Sequence, residues 1–141
     1  MNILKLELTH FGKFHLKTIT FTSGLNIVYG KNEAGKSTIH AFVRSMLFGI
    51  PDTEEGNERY SHYLPWETPH DFCGRMWIKK DDKVYRIERN FLRPQPTVRV
   101  FDDETGESLQ PAKQHLRQIL SGLTETSYLN SICIEQLKSA T

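Results

Sequence analysis

Residues Gly30 to Thr38 read Gly-Lys-Asn-Glu-Ala-Gly-Lys-Ser-Thr, the spacing G-x-x-x-x-G-K-S, the P-loop. No other stretch constrains the fold as tightly, because such a loop has to leave a strand and open a helix. Its glycines, Gly30 and Gly35, let the backbone bend sharply, so that within a nucleotide-binding stretch of Gly30, Lys31, Asn32, Glu33, Ala34, Gly35, Lys36, Ser37 and Thr38 the successive amides of Asn32 to Lys36 aim at phosphate oxygens. Lys36 brings a mobile positive charge for β- and γ-phosphates, and Ser37 brings a hydroxyl for Mg²⁺. The helix that follows points its positive end at the same place. Both flanks agree with this context. Leu25 to Tyr29 is a short, mostly apolar run bounded by Gly24 and Gly30, suited to a buried strand. Ile39, Phe42, Val43, Met46 and Leu47 recur at the spacing of one helix face, and Gly49 and Pro51 stop the helix.

A chain of 141 residues is long enough for one domain with its own core. With 38% hydrophobic and 25% charged residues it is a globular composition, not a disordered one. No apolar run approaches the length of a membrane span, and no membrane partner is expected. The start, Met1 to Glu7, alternates polar and apolar residues as a strand does and is not a signal peptide. Cys73 and Cys133 lie far apart; beside a motif for ATP they point to free thiols in a reducing cytoplasm.

The formal net charge of +1 gives no argument for a nucleic-acid partner. Between residues 75 and 99, eight basic residues stand against three acidic ones, which is either a phosphate-contacting surface or the solvated face of an antiparallel sheet. The sheet face is the preferred reading, balanced by acidic residues at 52–58 and 102–107, because the basic residues spread over several strands with no aromatic-interleaved groove.

Along the chain, Leu4, Leu6 and Leu8 alternate with Lys5 and Glu7 in a half-buried strand. Thr9 to Phe14 reads as a turn, Leu16 to Phe21 as a second strand, and Thr22 to Gly24 as the turn into the P-loop strand. After the P-loop helix, Asp52 to Arg59 is polar and acidic and reads as an exposed loop. Phe72–Lys79 and Lys83–Phe91 flank a hairpin turn at Lys80-Asp81-Asp82, and Thr97–Phe101 follows a break at Pro94 and Pro96. Pro111 opens a helix with Leu116, Ile119 and Leu120 on one face, closed by Gly122, and Thr124 caps a short helix to Asn130. The fold class expected is α/β: a mixed sheet with antiparallel hairpins around a P-loop.

P-loop hydrolases need a carboxylate at the end of a buried strand to hold Mg²⁺ or polarise water. Val98 to Asp103 imitates one, but Arg99 breaks the apolar run and Asp-Asp-Glu-Thr-Gly-Glu is ordinary turn chemistry. No other run of four apolar residues ends in Asp or Glu, so the phosphate cradle stands without an obvious catalytic carboxylate. His62, His70 and Cys73 match no common zinc spacing, Cys133 sits in an apolar run, and Tyr60, Tyr63 and Trp66 read as a loop packed on the core.

Phe11-Gly12-Lys13-Phe14, the run Gly24 to Thr38, and Leu47-Phe48-Gly49 together resemble the N-terminal lobe of SMC-like, RecF/SbcC-like ABC-type ATPase heads. Tyr85 to Phe91 resembles the YhaN-like bacterial branch. The resemblance spans nearly the whole chain, 1–141, and implies a P-loop NTPase lobe with ATP and Mg²⁺ as cofactors. It places a Q-loop at 131–137, where Gln136 would approach Mg²⁺ and the attacking water, and gives Thr38 a supporting role at the α-phosphate. Purine contacts would come from His10 to Lys13 and from the loop around Tyr60. Intact heads of this kind carry a coiled coil and a C-terminal lobe absent from these residues, and two heads sandwich ATP. The implied partners are therefore the C-terminal lobe and a second ATPase head, with DNA and a nuclease by resemblance alone. Hydrolysis would belong to the complete head, with Lys36 and Gln136 as its catalytic contributions from these residues. A small P-loop kinase and a non-catalytic interaction domain with a vestigial loop remain as alternatives.

Overall fold

A computed structural model describes residues 1–22, 25–26 and 33–130. The expected P-loop residues Gly30, Lys31 and Asn32, the strand residues 27–29, Cys133 and the Q-loop with Gln136 lie outside them.

Among the described residues, six strands and four helices follow in the order β1 (Asn2–Phe11), β2 (Phe14–Thr22), β3 (Leu25–Asn26), α1 (Glu33–Phe48), α2 (Glu54–Tyr63), β4 (Cys73–Lys80), β5 (Lys83–Asn90), β6 (Thr97–Asp102), α3 (Ala112–Leu120) and α4 (Glu125–Asn130). The sheet order is β3-β2-β1-β4-β5-β6, and every described pairing is antiparallel. The parallel component of a mixed sheet is thus not present among the described residues. Two-residue turns join β1 to β2 and β4 to β5, which dictates antiparallel pairing there; β1 and β4 also pair antiparallel, although α1 and α2 lie between them in the chain. In the β4–β5 turn Asp81 and Asp82 both take positive φ, 52° and 64°, the backbone of a two-residue hairpin turn.

The first strand departs from simple alternation. Ile3, Leu6, Leu8 and Phe11 are buried, while Leu4 is only half-buried. The register against β4 shifts between Ile3 and Lys5 and again between Glu7 and His10. Each irregularity resets which residues face the core, so Ile3 and Phe11 enter it. The strand also runs on to Phe11, and the turn shrinks to Gly12 and Lys13, with Gly12 at φ +60°.

Helix α1 lies on the inner face of the sheet and packs against β1, β4 and β5. All five residues of its expected apolar face are buried. Each such side chain taken from water contributes on the order of 1.5–3 kcal/mol, which seats the helix. Gly49, at φ +78°, closes α1 with its amide donating to Ser45 O at 2.8 Å. Helix α3 covers β6, burying Leu116 and Ile119. Its left-handed cap residue is Ser121, at φ 51°, with Gly122 following at φ 76°.

The segment expected to be an exposed loop is instead mostly helix. Thr53 caps α2, its side chain accepting the Gly56 amide at 3.0 Å, and Glu54 and Glu55 occupy the first turn. An N-cap threonine followed by carboxylates suits the positive end of a helix. The run lacks apolar periodicity because α2 anchors itself differently, through Gly56 and Arg59, both buried, and through two aromatic rings.

The outer face carries Arg75, Arg86 and Arg99 of the basic run, whereas Arg89 and Lys80 turn inward to carbonyls of α1 and α3. Glu88 accepts from Arg86 at 2.9 Å and Arg99 at 3.0 Å, Arg75 lies between Glu7 and Glu88, and Arg86 also meets Asp103 at 3.3 Å. Trp77 Nε1 donates to Asp103 Oδ1 at 3.1 Å, under Lys5. Glu7 on β1 and Glu88 on β5, the two strands that flank β4, supply most of the balancing charge. The acidic residues around 52–58 do not: Glu55 pairs with Arg44 and Arg59 on the helical side.

Candidate functional site

The second half of the P-loop motif falls within the first turns of α1. The first four amides of a helix have no partner inside it, and in α1 these belong to Glu33, Ala34, Gly35 and Lys36. They form an N-terminal positive end suited to phosphate. Ser37 follows and is exposed, Thr38 is half-buried, and the apolar face begins at Ile39. The helix therefore turns from a polar, accessible start to a buried body within one turn.

Two other segments converge on this start. The Gly12 amide donates to Tyr63 O at 2.7 Å, tying the β1–β2 turn to the end of α2. The Tyr63 hydroxyl donates to Ser37 O at 3.4 Å, and its ring stacks on Phe11 with centroids 5.1 Å apart. A Cβ at Gly12 would lie 3.2 Å from the Tyr63 ring and 3.6 Å from the Thr38 methyl, so the turn approaches both elements closely. Burial pushes the Tyr63 phenol above its ordinary value, and Arg59 opposes that shift. Beside the turn, a cleft of about 480 Å³ is lined by His10, Lys13, His15 and the loop after α2, including Trp66. Trp66 is 82% exposed, unlike Tyr60 and Tyr63, which pack on Phe72 and Phe11. His10 and His15 share a hydrogen bond between their Nδ1 atoms at 3.0 Å.

Behind α1 lies a charged cluster that the sequence did not single out. Arg44 Nε meets Glu125 at 2.6 Å and its Nη2 meets Glu55 at 3.2 Å. Arg59 is buried between Glu55 at 3.5 Å and Glu125 at 4.0 Å. Burial pulls the Arg59 guanidinium below its usual value, Arg44 adds to the pull, and the two glutamates with Tyr63 oppose it. These contacts lock α2 and α4 onto α1. The Thr53 cap with its acidic first turn was the available signal for α2. His40 lines a second cleft, with Arg44, Glu55 and Arg59, and is held below its ordinary value by burial.

Cys73 is a half-buried thiol pushed up by burial and by Asp71, with Arg75 opposing, so it stays protonated at neutral pH. Among the described residues, no group of three or more His, Cys, Asp or Glu side chains is placed to hold a metal. Asp102 caps its own turn, accepting the Glu104 and Thr105 amides, and β6 is an edge strand, so the Asp102–Asp103 pair does not stand at the end of a buried strand.

Residues 1–139 match the AAA domain family over nearly the full length. The chain belongs to that family. It is 43% identical over 56 residues to the uncharacterized protein YhaN of Bacillus subtilis, covering 39% of this chain and 6% of that protein. It is 26% identical over an aligned 146 residues to the DNA double-strand break repair Rad50 ATPase of Thermococcus kodakarensis, covering 96% of this chain and 15% of that protein. The chain thus spans only a small part of either relative's length. Together these matches make it an SMC-like, RecF/SbcC-like N-terminal region. No helix of the described residues is long and apolar enough to cross a membrane.

Proposed function

We propose that this chain is the ATP-binding N-terminal lobe of an SMC-like ATPase head from a DNA-repair or chromosome-maintenance protein. One observation carries the reading: a G-x-x-x-x-G-K-S motif opens the helix on which this AAA-family domain is built. The amides from Asn32 to Lys36 cradle the phosphates, and Lys36 contacts the β- and γ-phosphates. Ser37, exposed at the right turn of α1, and Gln136 hold Mg²⁺, while Thr38 supports the α-phosphate. The donor set fits: free helix amides, an ammonium and a hydroxyl are what a triphosphate with a hard cation requires. The purine lies against the β1–β2 turn, which Tyr63 holds beside Ser37 and Thr38.

In the intact protein, ATP favours engagement of two heads and hydrolysis releases them, so the nucleotide biases a two-state element. The name of the Rad50 relative supports DNA repair as the setting. A small kinase is less well supported, since such enzymes continue as parallel α/β units after the P-loop, whereas antiparallel hairpins follow α1 here.

Isothermal titration with Mg²⁺ and a non-hydrolysable ATP analogue tests the reading. Saturable heat with the native chain and its loss in Lys36→Ala are expected. Absence of heat, or equal heat from both proteins, would favour the vestigial-loop alternative.

A further inference from the structure

A cleft of about 450 Å³ opens at the far end of α1, between the β5–β6 connection and α3. Its floor is largely aliphatic: Leu47 and Ile50 from the end of α1, Val98 from β6, and Leu116 and Leu120 from α3. Four cations line it, Arg89, Arg93, Lys113 and Arg117, and no carboxylate does. The imbalance is local. Arg44, Arg59, Arg75, Arg86 and Arg99 all pair with carboxylates, whereas none of the four cleft cations does among the described residues.

What the four do instead defines the cleft. Arg89 Nε donates to Met46 O at 2.6 Å and its Nη2 to Leu47 O at 3.4 Å, capping the negative end of α1. Burial pulls it down to about 10, so it remains a cation at neutral pH. Arg93 donates to Asn57 Oδ1 at 2.7 Å and Pro51 O at 3.3 Å, both uncharged acceptors. Lys113 and Arg117 are exposed on α3, and with Leu116 and Leu120 they follow the i, i+3, i+4, i+7 spacing of one helix face.

A small anion would call for buried donors converging on one point, yet here the free cations are exposed and spread along the cleft. A phosphodiester backbone would leave the aliphatic floor uncovered. From this combination we infer that the cleft docks an acidic, aliphatic segment of a partner protein. Its leucine-like side chains cover the floor, and its carboxylates meet Lys113, Arg117 and Arg93. This surface is separate from the P-loop end of α1 and does not depend on nucleotide.

Fluorescence anisotropy of the 141-residue chain tests the inference with a short labelled peptide alternating Glu and Leu. Glu/Ser and Lys/Leu peptides and a labelled DNA duplex serve as further probes. The Glu/Leu peptide should saturate, with the other two peptides at least roughly tenfold weaker. The double reversal Lys113→Glu with Arg117→Glu should weaken it about tenfold or more, because those charges are the complementary ones. The same charge change at the β4–β5 hairpin, Lys79→Glu with Lys83→Glu, should leave it unchanged. Thermal melts establish that both variants fold, and amide shifts on titration should cluster in residues 89–98 and 113–120. No saturation, an equal loss from the hairpin reversal, shifts elsewhere, or duplex DNA binding more tightly and displacing the peptide would overturn the inference.

Discussion

Gly74 has no side chain because α1 leaves no room for one. A Cβ there would overlap the Phe42 ring and crowd Glu7 O at 3.0 Å, so α1 sits on β4 at its only bare position. Gly74→Ala should destabilise by about 1–3 kcal/mol through overpacking. The measurement is the urea midpoint at unchanged slope; a native-like midpoint would mean the helix is not seated there. His40 makes a second residue-scale claim. Burial holds its folded-state value below the ordinary 6.5, so the unfolded chain binds its proton more readily. Its stability contribution is complete above 6.5 and is lost as pH falls from there through the folded value. His40→Gln should flatten that part of the stability–pH profile, and an unchanged profile in the variant would remove His40 as its source.

At the scale of elements, α2 matters more than its composition suggests. It links the β1–β2 turn through Gly12, the start of α1 through Tyr63, and the Arg44–Glu125 cluster through Arg59. Its first turn depends on a cap and on close approach: a Cβ on Gly56 would run into Pro51 O. Thr53→Ala should cost about 1 kcal/mol, the usual value of a lost N-cap. Hydrogen exchange should show faster exchange at the α2 amides in that variant while the strands of the core keep their protection. Uniform acceleration across the sheet would mean that α2 is not a separately opening unit. The failure to read this helix from sequence has a physical cause. Helix patterns are recognised by an apolar stripe, and α2 buries an arginine, a glycine and two tyrosine rings instead.

At the scale of the molecule, a sheet with helices α1 and α3 on one face leaves an outer face of paired charges and places the two ends of α1 in different surroundings. The N-terminal end meets the β1–β2 turn and α2; the C-terminal end opens into the basic cleft. No run of four apolar residues in the sequence ends in Asp or Glu, the pattern of a buried strand with a carboxylate suited to activate water. These 141 residues should therefore bind Mg-ATP without turning it over, and phosphate release should match Lys36→Ala. Release clearly above that control would show a catalytic carboxylate that the sequence conceals.

Local chemistry was enough to reveal much of this protein. The P-loop spacing, the apolar face of α1, the turn at Lys80-Asp81-Asp82 and the strand Thr97–Phe101 follow from backbone sterics and periodicity within a few residues, and the sequence states them openly. The family match rests on the same string of residues. Packing between distant segments decided the remainder. The register shifts that bring Ile3 and Phe11 inward exist only once β1 pairs with β4. Glu125 of α4 comes within 4.0 Å of the buried Arg59 of α2, a meeting of helices more than sixty residues apart in the chain. The four unpaired cations of the α1–α3 cleft become neighbours only when β5, β6 and α3 close around Leu47. Contacts between residues far apart in the chain have no local signature, and so these features emerge only in the folded molecule.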